Sequence, residues 1–326
     1  MKILVTGGTG FTGAALVARL LDLGHEVVAL DNKEGIRIGE LRARGADVHL
    51  ASVTDPEAVR RAVEGAEVVH HVAAAFRENL PPRDYRETNV EGTRNVLEAA
   101  RRAGVRRVVH CSTVGVHGNV ERPPAGEDAP IHPADYYQRT KYEAEPLVME
   151  AARAGLETVI LRPAAIYGPG DPGRFLLIFR RVARGTFPMF GSGRTLYHPL
   201  YVDNLVDAFV LAQDSPRRDG EAYLIADEEY VAIEDLVRRV ARALGTEVRI
   251  PHYPVWPVVA AGHLCEALCK PFGVTPPIFP RRVDWYRQNR AFKIEKAKRE
   301  LGYRPRVDLD EGLRRTAEWY RRAGYL

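Results

Sequence analysis

The chain lacks several features that would each announce a class of protein. It has 3 cysteines in 326 residues, and Cys111, Cys265 and Cys269 form neither a spaced disulfide framework nor a metal signature with histidine. No metal is expected. Lysine is scarce, at 7 against 40 arginines, and basic residues are interleaved with acids, as in EKAKRE, rather than gathered into a block. With a net charge of +4 this reads as a solvated helical surface and not as a nucleic-acid footprint. The longest apolar stretch, residues 254–272, is broken by His263, Glu266 and Lys270. It is too short and too charged to span a bilayer, which leaves at most a peripheral membrane contact. The start, MKILVTGG, reads as a strand entering a glycine turn and not as a signal peptide. What remains is ordinary globular composition, 45% hydrophobic and 28% charged, with enough length for one large or two moderate domains. A cytoplasmic enzyme acting on a small molecule is the expectation.

The first half alternates short apolar runs with amphipathic segments. Residues 3–6, 26–31, 47–50, 67–71, 107–111 and 158–162 are rich in Val, Ile and Leu without the alternation of a half-exposed strand, so they read as buried strands. Helical patterns lie between them, over 13–23, 56–63, 85–103 and 136–154. Strand–helix repetition at this spacing predicts an α/β fold, a doubly wound parallel sheet covered on both faces. After Arg162, Pro and Gly cluster in RPAAIYGPGDPG and GTFPMFGSG, which reads as loop and short helix. Periodic helices return at 204–213, 233–244, 255–269 and 309–323, and residues 222–226 form one more strand candidate able to rejoin the sheet. The expected division is a nucleotide-binding domain over 1–165 and a smaller, interleaved substrate domain over 166–326.

The first strand runs straight into Thr6-Gly7-Gly8-Thr9-Gly10-Phe11-Thr12-Gly13, with a helix following. Gly7, Gly10 and Gly13 have the spacing G-x-x-G-x-x-G, which permits a tight turn, close approach of backbone N–H groups to a pyrophosphate, and helix packing on the strand. The pattern alone is weak; its place at the first strand–helix junction of an alternating sheet gives it weight. Asp31 ends the second strand, where a carboxylate accepts ribose hydroxyls and repels a 2′-phosphate, favouring NAD over NADP. Lys33 and Arg37 follow closely and are within reach of a phosphate, which tempers that preference.

Tyr137 and Lys141 stand at i, i+4 on a predicted helix, hence on one face about one turn apart. An ammonium beside a phenol stabilises the phenolate and lowers a pKa that starts near 10, giving a group able to exchange a proton near neutral pH. Such a pair arises by chance often enough; its location between the fifth and sixth strands, beside the carboxyl ends where ligands bind, is the telling part. The fifth strand ends in His110-Cys111-Ser112-Thr113, which sets a hydroxyl at the same edge.

Together these pieces resemble the extended short-chain dehydrogenase/reductase family, the NAD-dependent epimerase/dehydratase group, over nearly the whole chain. TGGTGFTG is similar to the family's TGxxGxxG, and VVHHVAAA to the strand lining the cofactor. Asn89-Val90-Glu91-Gly92-Thr93 resembles its N-V-x-G-T helix, and HCSTVGVHG its fifth-strand motif. Tyr137 and Lys141 fit YxxxK, and LRPAAIYGPGD, PLYVDNLVDA and LGYRPRVDLDEGLRRTAEWYR resemble later signatures. The resemblance implies a Rossmann fold, NAD as cofactor, and a Thr113, Tyr137, Lys141 triad. It also implies a cofactor site of Gly7, Gly10, Phe11, Thr12, Gly13, Asp31, Asn32, Ser52, Val53, Val72, Ala73, Ala74, Asn89, Ser112, Tyr137, Lys141, Pro163 and Ile166. A homodimer through the helices of residues 89–103 and 136–154 is implied as well, with Val96, Leu97, Ala99 and Ala100 as contact positions unless the monomer buries them.

Departures narrow the chemistry. Val114 and Gly115 stand where the family's dehydratases have carboxylates, so water elimination is not expected. Tyr197 stands where many epimerases of nucleotide sugars have a diphosphate-gripping Arg, leaving Arg194 or Arg174 as substitutes. Ser52-Val53 replaces the usual Asp-Val beside the adenine. The segment over 254–303 resembles the 3β-hydroxysteroid dehydrogenase-like branch, and its helix with Val258, Val259, Cys265, Leu268 and Cys269 is read as a core helix. The leading expectation is reversible hydride transfer at a secondary alcohol or ketone of a substrate with a large apolar part. A nucleotide-sugar 4-epimerase with tightly held NAD is the alternative. A nucleotide-sensing protein without chemistry is the third reading, and the presence of both Tyr137 and Lys141 counts against it.

Overall fold

The computed structural model describes residues 1–76, 80–171, 173–269 and 283–326. Six parallel strands appear where the apolar runs predict them: β1 (Lys2–Thr6), β2 (Glu26–Asp31), β3 (Asp47–Leu50), β4 (Val68–His71), β5 (Arg107–Cys111) and β6 (Glu157–Pro163). A seventh strand, Asp219–Ile225, returns from the later half and pairs in parallel with β6. From that strand the order runs β6, β5, β4, β1, β2, β3. The chain therefore builds outward from β1 in one direction, then crosses to β4 and builds in the other. That reversal opens a crevice above the carboxyl ends of β1 and β4.

The helices are α1 (Phe11–Asp22), α2 (Ile38–Ala43), α3 (Pro56–Val63), α4 (Pro82–Arg86), α5 (Gly92–Arg102), α6 (Tyr136–Arg153), α7 (Arg174–Ala183), α8 (Val202–Asp214), α9 (Ile233–Leu244) and α10 (Trp256–Cys269), followed by Glu295–Glu300 and Leu309–Arg322. One face of the sheet packs on α1 and α8 through Leu16, Leu20, Leu205 and Phe209. The other packs on α3, α5 and α6 through Val59, Val96 and Val148. Buried on both sides, β4 and β5 have no solvent-facing residue, which is why they show no alternation. A separate apolar cluster holds α7, α9 and Leu309–Arg322 together around Phe179, Leu236 and Leu313. Here α7 gives ordered helix to a stretch expected as loop and short helix.

Two expectations need correction, and one alternative left open is decided. The helix expected over 85–103 is interrupted: between α4 and α5, Glu87–Glu91 forms a π-helical turn. Such turns insert a residue and re-aim their neighbours; here Asn89 is wholly buried and swung toward the end of β4. Helix α10 is not a core helix, since Trp256, Leu264 and Leu268 are 70%, 62% and 61% exposed. Val96, Leu97, Ala99 and Ala100 are spent on the chain's own interior and offer no dimer face. Lys270 and the rest of 270–282, within the segment likened to the hydroxysteroid branch, lie outside the described residues, as do the side chains of His263 and Glu266.

Candidate active site

The glycine turn closes on itself. Gly7 has φ +69° and lies against the segment after β4: a Cβ there would sit 2.8 Å from the Ala73 backbone. At Gly13 it would fall 1.9 Å from the Gly7 carbonyl oxygen. These two glycines are demanded by packing of turn on helix and strand. Gly10 is exposed at the start of α1, on the side from which a phosphate approaches the helix N-terminus. Phe11 and Thr12 follow, both partly exposed.

Asp31 closes the mouth of this turn. Its Oδ2 accepts from Thr9 N at 3.1 Å and Gly10 N at 3.2 Å, and its Oδ1 from Lys33 N at 3.3 Å. Asn32 beside it is exposed. Arg37, a candidate for a 2′-phosphate, is held bidentately by Glu40 at 2.9 and 2.7 Å, a pairing that raises its pKa further. With the nearest guanidinium committed, the carboxylate sets the character of this corner. Ser52 and Val53 follow β3; the Ser52 hydroxyl accepts from Thr54 and Val53 packs under Gly92.

Val72, Ala73 and Ala74 continue from β4 over the crevice, half-buried. Their path is pinned from below. Asn89 accepts from Ala75 N at 2.8 Å, donates to Ala75 O at 3.1 Å, and donates to Thr140 Oγ1 on α6 at 3.0 Å. His71, which the sequence reading did not single out, spans the floor. Thr6 donates to its Nδ1 at 2.7 Å, and its Nε2 donates to Thr93 Oγ1 at 2.9 Å, whose own proton goes to Asn89 O. Burial lowers the His71 pKa to about 3, so the imidazole is neutral. Asn89 and Thr93 at i, i+4 were the available signal for this linkage.

Helix α6 begins where Asp135 caps it, accepting from Gln138 N at 2.8 Å. The cap fixes which residues open the helix, and Tyr137 and Lys141 then share one face, as expected. Tyr137 is partly exposed. Lys141 is 1% exposed, and among the described residues its Nζ has no hydrogen-bond partner. Burial lowers its pKa, while nearby Cys111 and Glu145 act the other way. Thr113 follows the end of β5, with its Oγ1 accepting from Gly115 N at 3.0 Å. Ser112 differs: its hydroxyl is buried and donates to Glu145 at 2.5 Å. Pro163 ends β6, and Ile166, on the short strand Ala165–Tyr167, is half-buried.

These groups fit a dinucleotide. The glycine turn is a cradle that side chains would fill, and Lys141 Nζ is an orphaned donor whose need ribose hydroxyls would meet. Gly10, Asp31 and Lys141 would hold such a molecule at its pyrophosphate and its two riboses. No cluster of three metal-ligating side chains occurs among the described residues. Two charged surface hollows, one around Asp128 and Arg299 and the other around Arg153 and Glu221, do not include Tyr137.

On the substrate side, Tyr197 is buried in an aromatic cluster, its ring centroid 5.9 Å from Trp285 and 6.2 Å from Phe175. Aromatic packing thus occupies the position at which many epimerases of nucleotide sugars have the arginine. Arg194 is exposed, and the side chain of Arg174 lies outside the described residues.

A parallel sheet with a glycine cradle, a carboxylate at the mouth of that turn and a Tyr–Lys pair at its carboxyl edge defines an NAD-binding oxidoreductase of the extended short-chain type. The chain belongs to the NAD dependent epimerase/dehydratase family, whose model matches residues 3–226. It is 33% identical to a 2-alkyl-3-oxoalkanoate reductase of Stenotrophomonas maltophilia, over 97% of this chain and 98% of that one. It is 32% identical to the 3beta-hydroxysteroid-dehydrogenase/decarboxylase isoform 1 of Arabidopsis thaliana, over 97% of this chain and 78% of the relative. Among solved structures, a UDP-glucose 4-epimerase from Thermotoga maritima with UDP-glucose superposes with a TM-score of 0.82 at 28% identity, covering 99% of each chain. The protein is an NAD-dependent enzyme acting on a small molecule, and no described helix is long and apolar enough to cross a membrane.

Proposed function

We propose that the enzyme interconverts a secondary alcohol and a ketone on a substrate with a large apolar body, the reacting carbon lying β to a carboxylate. The observation that carries the chemistry is the Tyr137–Lys141 face of α6, with a buried ammonium lacking a hydrogen-bond partner among the described residues. Tyr137 gives its phenolic proton to the substrate oxygen in reduction and takes it back in oxidation, a contribution of about 10²–10⁴-fold. Lys141 stabilises the phenolate and anchors a ribose. Thr113 donates to the substrate oxygen and aligns it with the phenol. When bound, NAD supplies the hydride acceptor and NADH the donor. On this reading residues 1–165, with the returning strand, hold the cofactor, and 166–326 shape the substrate pocket.

The substrate class draws on two relatives. One name gives a 3-oxo group on an alkanoate; the other couples oxidation of a 3-hydroxyl to decarboxylation. We take a ketone β to a carboxylate as the feature that would join the two names, because that arrangement loses carbon dioxide readily. The aromatic cluster at Tyr197, in place of a cationic clamp, favours such a substrate over a sugar diphosphate. The test is NADH oxidation on 2-methyl-3-oxodecanoate and, separately, on UDP-glucose. Turnover on the keto acid alone is expected; interconversion of nucleotide sugars without net NADH change would establish the epimerase reading instead.

A cytoplasmic location and a homodimer through α5 and α6 belong to the same proposal. The contact would have to use exposed residues such as Tyr142. Light scattering at micromolar concentration decides the second point.

A further inference from the structure

Glu145 lies one turn beyond Lys141 and two beyond Tyr137 on the same face of α6. It is almost wholly buried, as is its partner Arg162 on β6. The guanidinium grips both carboxylate oxygens, Nε to Oε1 at 2.9 Å and Nη2 to Oε2 at 2.7 Å. Oε1 also accepts the Ser112 hydroxyl at 2.5 Å. The third arm, Arg162 Nη1, meets His117 Nε2 at 3.2 Å. Arginine only donates, so that nitrogen accepts, and His117 carries its hydrogen on Nδ1. Nδ1 in turn faces the carbonyls of Ala129 and Pro130 at 3.1 and 3.2 Å.

Desolvating two charges costs about as much as their attraction returns, so a buried pair is poor evidence of stabilisation. What this pair delivers is geometry. One carboxylate joins α6 to β6 and to the end of β5, where Ser112 precedes Thr113. Its arginine reaches on to the turn that follows Thr113. The tie also falls where α6 is locally weakest: Pro146, the next residue, has no N–H to offer the Tyr142 carbonyl.

We propose that Glu145 is a positioning residue, which sets Thr113 against Tyr137 and Lys141 by clamping Ser112 and Arg162 to the catalytic helix. This rests on the roles proposed for Thr113 and Tyr137 and goes beyond them.

The test uses the full chain and three readouts: amide hydrogen exchange over residues 113–118, NADH affinity by fluorescence, and kcat and KM for 2-methyl-3-oxodecanoate with NADH. Ser112→Ala removes one hydrogen bond and no charge, so folding is retained. It should raise exchange over 113–118 about tenfold, leave NADH affinity within about threefold, and lower kcat about tenfold at unchanged KM, the worth of one buried hydrogen bond. Ser112→Thr, which keeps the hydroxyl, should recover most of the loss. Glu145→Gln should move the same quantities further, and the double variant should be no worse than Glu145→Gln alone. Unchanged exchange over 113–118 in both variants would overturn the proposal, as would strictly additive losses, or a lowered melting temperature with kcat intact. If the wild-type enzyme leaves the keto acid untouched, the substrate reading fails while exchange and NADH affinity still decide the role of Glu145.

Discussion

Strands β5 and β6 carry a buried arginine ion pair at each end, and the two pairs serve different purposes. At the amino end, where Arg107 and Glu157 are in register, Arg107 donates to Glu157 at 2.7 Å. Its other arm donates to the carbonyls of Ala212, Gln213 and Ser215 at the close of α8. A cation at a helix C-terminus meets the negative pole of the dipole and unsatisfied carbonyls at once. At the carboxyl end the same chemistry, Arg162 with Glu145, reaches no helix terminus; it reaches Ser112 and His117, on either side of Thr113. The first pair staples a helix to the sheet. The second aligns side chains at the edge where ligands bind. Similar ion pairs are distinguished by what lies next to them.

The comparison can be broken from the amino end first. Arg107→Met should cost about 3–5 kcal/mol of unfolding free energy, because it removes a buried guanidinium and leaves three helix-end carbonyls and a partly exposed carboxylate without that donor. The lower figure is expected, since Arg106 at 3.7 Å and Arg218 at 3.1 Å still face Glu157. Urea unfolding checks the loss, and kcat of the folded fraction should be unchanged; a fall in kcat would erase the division between the two ends.

A smaller effect sharpens the picture at the carboxyl end. Asp227, just past the returning strand, accepts from Tyr201 N at 3.0 Å and Asn204 Nδ2 at 2.7 Å, yet burial pushes its pKa up to about 7. The unfolded carboxyl releases its proton near 4, so between about pH 4 and pH 7 the folded state binds more protons. Stability from this group is therefore lost as pH rises through that window. Buried His70 and His71, pushed down to about 4 and 3, work in the opposite sense on acidification. Comparison with Asp227→Asn cancels them: from pH 8 to pH 5 the wild type should gain on the order of 2 kcal/mol relative to the variant by urea unfolding. Parallel pH profiles would remove Asp227 from the account.

Legibility in the sequence followed how local each signal was. The strands could be read because burial on both faces writes a continuous apolar run, and the Tyr137–Lys141 face because helical spacing is local. The Asp31 corner and the glycine turn sit within one strand–helix–strand unit. By contrast, Glu145 and Arg162 are 17 residues apart, and nothing in YEAEPL or VILRP distinguishes a buried pair from two surface charges. Ser112 enters the expected cofactor site only through the family resemblance, and its pairing with Glu145 is set by the fold, not by local sequence. The π-helical turn at Glu87–Glu91 leaves the apolar periodicity nearly intact, so it was invisible. Helix α10 misled because apolar composition says nothing of what covers it.

In the proposed mechanism the Tyr137 phenol handles the proton while the cofactor is held by other groups. Tyr137→Phe separates the two functions, because it deletes one oxygen and leaves the glycine turn, Asp31 and Lys141 in place. NADH titration by fluorescence, paired with turnover on the keto acid, reads both in one preparation. NADH affinity should stay within about threefold of the wild type while turnover falls at least about a hundredfold. Turnover retained in the variant would contradict that mechanism.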